Sequence, residues 1–267
     1  MKKILIALLL LIVMAIFAGC GQKSTGNSSG VLKIGASSVP HAEILNVVKP
    51  LLAKEGVELK IVEMNDYITP NVALAEKELD GNFFQHIPYL EQFAKDHNYQ
   101  LTYNAKVHIE PMGIYSNSLK SLSAIPSGAK VAIPNDPTNG GRALLLLEKA
   151  GLLKLKSGVG IKATTADVVD NPLKLKFVEL DAPQLPRSLG DVAIAVINAN
   201  YAMEAKFSPT KDALFLEQKD SPYVNILAIR TGDENRPELQ KLAKALNSDE
   251  VRKFINDKYA GAVVPAF

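Results

Sequence analysis

The chain has 267 residues, 47% of them apolar and 22% charged, with a formal net charge of +2 and a single cysteine. A near-neutral balance argues against nucleic acid or an anionic surface as the main partner, and a lone cysteine excludes an internal disulfide. The length accommodates one large domain or two lobes of ordinary size.

Lys2 and Lys3 lead into an unbroken apolar run, Ile4–Ala18. At 15 residues it falls short of the roughly 20 that a membrane-spanning helix needs, and it has the layout of a signal-peptide h-region. It ends in Phe17-Ala18-Gly19-Cys20. Small residues directly before a cysteine resemble the bacterial lipobox, where the cysteine is acylated and becomes the new N-terminus. Phe17 stands where Leu, Val or Ile is usual. Residues 1–19 therefore read as a lipoprotein signal peptide, and Cys20 as a lipid anchor. Gly21–Gly30 is rich in Gly, Ser and Asn without apolar periodicity, so 20–30 reads as a flexible tether. Removal of residues 1–19 takes away two lysines and brings the formal charge to zero.

Beyond the tether, strand and helix patterns alternate. Val31–Ala36 reads as a strand. Pro40–Lys54 carries Ile44, Leu45, Val48, Leu51 and Leu52 at helical spacing, with Pro50 a potential kink and Gly56 a stop. Val57–Val62 alternates as a strand. Thr69-Pro70 has the pattern of an N-cap followed by a first-turn proline, opening a helix that runs to about Leu79. Asp80–Phe84 predicts a short strand and Pro88–Asp96 a helix. Val107–Tyr115 predicts a strand crossing into a new region. Lys130–Ile133 follows as a strand, Asn135–Asn139 as a loop, and then a helix to about Ala150. Leu175–Leu180, Val192–Val196 and Tyr223–Arg230 are further strands. Pro237–Leu246 and Asp249–Tyr259 are helices, the second capped by Ser248. This alternation implies α/β layers with mostly parallel sheets. Extended crossovers near 107–115 and 220–226 divide the chain into one lobe of 31–110 with 224–267 and another of 111–223. A cleft between lobes is a preferred ligand site.

Three regions carry candidate chemistry. Asn135-Asp136-Pro137-Thr138-Asn139-Gly140-Gly141-Arg142 joins a strand to a helix. The free N–H groups of a helix start favour an anion, small glycines let a ligand approach, and an arginine fork can hold a carboxylate. A capped helix with a solvated arginine fits the same residues. The spacing is not that of a P-loop. Between Tyr67 and Tyr103 lie Tyr67, Phe83, Phe84, Tyr89, Phe93, Tyr99 and Tyr103, enough to line an apolar pocket and receive a thioether; Phe93 and Tyr99 read better as core. Asn198 and Asn225 end or interrupt apolar strands, where an amide can bind a ligand or cap the next helix. The GxSxG spacing at Gly26–Gly30 falls in the tether and follows no strand, so it is no nucleophile elbow, and no HExxH or nucleophilic cysteine beyond the anchor is present; the chain is not expected to be an enzyme and no cofactor is implied. His41, His86, His97 and His108 lack helical zinc spacing but could converge in space, which keeps a metal receptor open as an alternative.

Several segments resemble one family together. They are Pro40-His41-Ala42-Glu43-Ile44-Leu45, Asn82-Phe83-Phe84-Gln85-His86-Ile87-Pro88-Tyr89-Leu90, Pro134–Arg142, Ala182-Pro183-Gln184-Leu185-Pro186-Arg187, Val196-Ile197-Asn198-Ala199-Asn200-Tyr201-Ala202 and Ser221-Pro222-Tyr223-Val224-Asn225. With Cys20, they resemble the methionine-binding lipoproteins of bacterial ABC importers over nearly all of the chain past the signal. The resemblance implies a two-lobed periplasmic-binding-protein fold of the type II kind, with a ligand cleft between lobes joined by two crossover strands. It implies a monomer on the extracytoplasmic face of the cell membrane, lipid-anchored through Cys20, that passes methionine to a permease. It implies that Arg142, with Asn139 beside it, holds the ligand carboxylate. Asn198 and Asn225 would hold the amino and carboxylate groups, and Tyr67, Phe84, His86 and Tyr89 would surround the side chain. Gly140-Gly141 replaces a bulkier residue often found there. L-methionine is the expected ligand, with D-methionine or a methionine-containing peptide as alternatives.

Overall fold

The computed structural model describes residues 30–218 and 221–267. The expected signal peptide, Cys20 and the tether before Gly30 lie outside the described residues.

The chain first builds β1 (Val31–Ala36), α1 (Glu43–Lys54), β2 (Glu58–Glu63), α2 (Thr69–Ala75), β3 (Gly81–His86), α3 (Ile87–His97) and β4 (Leu101–Ile109). It continues through β5 (Gly113–Tyr115), β6 (Lys130–Pro134), α4 (Pro137–Lys149), β7 (Lys154–Leu155), β8 (Val168–Asp170) and β9 (Lys176–Leu180). Next come α5 (Leu185–Ser188), β10 (Ile194–Ile197), α6 (Ala199–Glu204), α7 (Pro209–Asp212) and β11 (Phe215–Leu216). It closes with β12 (Val224–Arg230), α8 (Pro237–Leu246), α9 (Asp249–Tyr259) and β13 (Val264–Pro265). The strands form a six-stranded sheet, β13-β4-β12-β3-β1-β2, a five-stranded sheet, β11-β5-β10-β6-β9, and a small β7-β8 ribbon. The result is a two-lobed α/β fold, one lobe around each large sheet.

Both large sheets are mixed, not mostly parallel. β1 runs parallel to β2 and β3, but β12 is antiparallel to β3 and β4, and β5 is antiparallel to β10 and β11. Connectivity is the cause: β12 returns from the second lobe and threads between β3 and β4 against their direction. In the first lobe, Leu32, Ile34, Leu45, Val48 and Leu52 pack with Leu239, Leu242, Leu246, Val251 and Ile255, so α1, α8 and α9 cover one sheet face. Leu74, Leu90, Ile226 and Ala228 form a smaller cluster. In the second lobe the period-2 alternation of a strand sends Val131, Ile133, Ile194 and Val196 toward Leu144 and Leu147 of α4. Ala132, Ala195 and Ile197 face Leu185 and Tyr201 instead. Burial on both faces explains why β10 is apolar throughout.

Several local expectations need correction. Pro50 lies inside α1 without ending it; it and Asn46, whose carbonyl loses its N–H partner, are both exposed, so water satisfies that carbonyl. Gly56 follows the helix at φ +75°, a left-handed stop. α2 ends at Ala75 and not near Leu79, because Lys77 adopts φ +66°. Its N-terminal N–H groups are not capped by Thr69: the Asp66 carboxylate accepts from Ile68 N at 2.7 Å and Thr69 N at 2.6 Å. The strand expected over Val107–Tyr115 is two strands separated at Glu110-Pro111-Met112, with β4 beginning earlier, at Leu101. α4 begins at Pro137, so Asn139 lies within the helix and Arg142 beyond its first turn.

Candidate functional site

A cavity lies between the two sheets, where a cleft between lobes places small-molecule sites. Tyr67, Phe84, His86, Tyr89, Asn139, Arg142, Asn198 and Asn225 all line it. The structure thus brings together the eight residues that the family resemblance implied for the ligand, whereas Phe83 and Tyr103 of the aromatic stretch pack into the first-lobe core instead. Four more lining residues were not nominated: Gln85, Glu110, Ala199 and Asn200.

One wall is aromatic. Tyr67 lies 5.8 Å from both Phe84 and Tyr89, centroid to centroid, and Phe84 lies 6.1 Å from Tyr89. These are contact distances for edge and offset packing. β3 supplies Phe84 and His86, and α3 supplies Tyr89. His86 also caps α3: its Nδ1 accepts from Tyr89 N at 3.1 Å. An imidazole that accepts at Nδ1 carries its hydrogen on Nε2, which lies 3.1 Å from Asn139 Oδ1. Burial, then the Arg142 charge, pushes His86 down to about 3, so the ring is a neutral donor.

The opposite wall is polar. The N-terminus of α4 is not an open anion site, because Asp136 caps it through Asn139 N at 2.9 Å. Asn139 is fully engaged: Nδ2 donates to both Asp136 oxygens, and Oδ1 accepts from His86 and from Asn198 Nδ2 at 2.9 Å. Asn198 does not cap α6 with its side chain, and its Oδ1 is buried with no partner. Asn200 accepts from Tyr67 Oη at 2.6 Å, while its Nδ2 is buried with no partner. Unsatisfied buried polar atoms cost about 1–3 kcal/mol each, so an unpartnered acceptor and donor beside one cavity mark positions for a ligand's donor and acceptor.

Arg142 is 3% exposed and is held along one edge. Nε donates to Glu217 Oε1 at 3.1 Å, Nη2 to Glu217 Oε2 and, at 2.8 Å, to the Glu110 carbonyl. The guanidinium also stacks 4.1 Å above the Tyr223 ring. Only Nη1 makes no hydrogen bond among the described residues, so Arg142 offers a ligand one donor and not the full fork. Glu110 brings a second buried charge. Its Oε1 lies 2.7 Å from His108 Nε2 and 3.2 Å from His41 Nε2. Burial raises its carboxyl above the ordinary range, opposed by His41 and Arg142. In sequence Glu110 is an acid before a proline between strands, with nothing to separate it from a turn residue.

Gly140 and Gly141 face a different, open cleft lined by Glu91, Lys95, Asp136 and Thr164. A Cβ on Gly141 would collide with the Ile161 carbonyl. This glycine serves close packing of α4 against 160–163, not ligand approach. Among the described residues no helix is long and apolar enough to cross a membrane.

The family model for the NlpA lipoproteins matches residues 32–267. The chain belongs to the NlpA lipoprotein family. Curated relatives of this NlpA lipoprotein include the D-methionine-binding lipoprotein MetQ of Salmonella typhimurium, 45% identical over 251 residues, which cover 92% of each chain. Another is the methionine-binding lipoprotein MetQ of Bacillus subtilis, 43% identical over 274 residues and 99% of each chain. Among solved structures, a nutrient-binding protein from Burkholderia cenocepacia bound to methionine superposes with a TM-score of 0.86 at 47% identity, covering 88% of this chain and 100% of that one.

Proposed function

We propose that this NlpA lipoprotein captures methionine between its lobes and hands it to the permease of an ABC importer. Cys20 would hold it by a lipid anchor on the extracytoplasmic face of the membrane. The lobes of this reading are 31–110 with 224–267, and 111–223.

The observation that carries the reading is the pairing, in one cavity between the lobes, of an aromatic wall with opposed, incompletely satisfied polar groups. Tyr67, Phe84 and Tyr89 suit a thioether side chain. Glu110 and Asn198 Oδ1 suit the ammonium group. Arg142 Nη1 and Asn200 Nδ2 suit the carboxylate. A dry site strengthens each of these charge-assisted bonds. Methionine bound to the Burkholderia cenocepacia protein, and the names of the two MetQ relatives as D-methionine-binding and methionine-binding lipoproteins, support the same ligand class.

The test is thermal unfolding of the detergent-extracted lipoprotein, freed of bound ligand by dialysis from denaturant, with and without L-methionine. A ligand bound only by the native state adds about 4 kcal/mol at a thousandfold excess over Kd, and each kcal/mol moves Tm by about 2–4 °C at this size. A rise of roughly 8–16 °C is expected with methionine and none with leucine. No rise with either L- or D-methionine would overturn the reading.

A further inference from the structure

Behind the cavity, away from the ligand wall, two histidines and a serine converge on Glu110, assigned above to the ammonium, and on Asn225, which also lines the cavity. Ser37 Oγ lies 2.6 Å from His41 Nδ1. His41 Nε2 lies 3.0 Å from Asn225 Oδ1 and 3.2 Å from Glu110 Oε1. His108 Nε2 lies 2.7 Å from the same Glu110 oxygen. His41 is 1% and His108 0% exposed, and neither lines the cavity. The sheet sets this up: register places Asn225 of β12 opposite His86 of β3 and His108 of β4, a row across three strands.

The proton positions follow from the partners. A serine hydroxyl donating to His41 Nδ1 leaves the hydrogen on Nε2, shared between Asn225 Oδ1 and Glu110 Oε1. His108 has no acceptor near Nδ1, which is buried and unpartnered, so its one productive hydrogen is also the Nε2 hydrogen aimed at Glu110. Both rings are neutral, burial pushing His41 down to about 4 and His108 to about 3. Two neutral N–H donors therefore meet one carboxylate oxygen, and the Asn200 backbone N–H adds a further donor to the Glu110 carboxylate.

These three side chains could also be read as metal ligands, since their donor atoms lie within 4.8 Å of one another. The spacing argues otherwise. Bonds of about 2.0–2.1 Å to a tetrahedral zinc hold its ligands about 3.3 Å apart, whereas His108 Nε2 and Glu110 Oε1 are 2.7 Å apart, a hydrogen-bond length.

We propose that His41 and His108 are positioning residues for the ligand's ammonium group: they hold the buried Glu110 carboxylate in its charged form at the cavity wall, and His41 fixes the Asn225 amide beside it. The physical need is plain. A buried carboxylate without donors takes up a proton and stops attracting a cation. Full charge on either histidine would compete with the ammonium for Glu110; neutrality lets them orient the acid without satisfying it. This inference rests on the amino-acid reading of the cavity.

The experiment measures binding of two ligands by calorimetry: L-methionine and 4-(methylthio)butanoate, which keeps the thioether and carboxylate but lacks the amine. The protein is the detergent-extracted lipoprotein, as wild type, His41→Leu, His41→Gln and His108→Phe. His41→Leu is expected to weaken methionine by about a hundredfold, the scale of a lost buried contact to a charge, and to change the deaminated ligand by less than about threefold. His41→Gln, which still donates, recovers part of the loss. His108→Phe gives the same selective pattern and serves if His41→Leu does not fold, as it conserves ring packing against Phe83 and His41. Equal losses for both ligands would reduce the histidines to structural packing and overturn the inference. Stoichiometric zinc or manganese in the purified wild type, by elemental analysis, would also overturn it, in favour of a metal site. Failure of the wild type to bind methionine at all would instead strike the reading of the cavity.

Discussion

Arg142 illustrates how one residue serves stability and binding at once. Its guanidinium and the Glu217 carboxylate are 4% and 9% exposed, so the pair is buried and cannot be treated as a weak surface bridge. Arg142→Ala therefore removes the proposed carboxylate donor and strands Glu217 in the interior. Breaking a buried pair costs about 3–5 kcal/mol, and a loss of affinity in that variant alone says little about ligand contact. The double variant Arg142→Met with Glu217→Leu separates the two roles. Replacement of both charges by apolar groups of similar volume is expected to restore most of the stability, read as the urea midpoint. Methionine affinity is expected to stay at least about a hundredfold weak, because Nη1 is still missing. Recovery of affinity with stability would show that Arg142 only supports the fold.

At the scale of elements, much of the architecture was legible because local chemistry and tertiary packing agree. α8 and α9 fall on the residues that the periodicity marked, and Ser248 caps α9 through Val251 N. Agreement failed where a non-local partner or an unusual backbone angle decided the outcome. Asp66 supplies the cap that Thr69 had been assigned, Asp136 closes the helix start read as an anion site, and a left-handed lysine shortens α2. The eight nominated residues meet in one cavity because the motifs that carry them end strands at the facing edges of the two sheets. Glu110 and Asn200 escaped notice since their importance comes from burial and an unfilled valence, neither of which has a local pattern. The adjacent glycines of α4 show the same limit: Gly140 has only the Pro134 carbonyl near its missing Cβ, at 2.9 Å, while Gly141 abuts the Ile161 backbone. Gly141→Ala is expected to destabilise by about 1–3 kcal/mol, the usual cost of overpacking, with methionine affinity of the folded protein unchanged. Denaturant unfolding beside calorimetry checks both halves. A large affinity loss at constant stability would return Gly141 to the ligand site.

Across the whole molecule, the groups that shape the cavity also set its response to acid. His41, His86 and His108 are buried and neutral, with pKa values pushed down to about 4, 3 and 3. The unfolded chain protonates its histidines near 6.5, so below that pH it binds protons that the native state refuses. Stability from these residues is complete above about 6.5 and drains away as pH falls toward 4 and then 3, at up to about 1.4 kcal/mol per pH unit for each histidine. Glu110, Asp136 and Glu204 have raised values and act in the opposite sense, since the native state takes their protons first. The urea midpoint is therefore expected to fall between pH 7 and pH 5, and His41→Gln, if it folds, to flatten the fall by about one histidine's share. A midpoint constant across that range would mean that the buried rings accept protons in place. Two of these histidines orient Glu110 and the third bridges β3 to Asn139 on α4 across the cleft. Protonation of these rings is therefore coupled to loss of the bridge across the cleft and of the ammonium site as well as to unfolding.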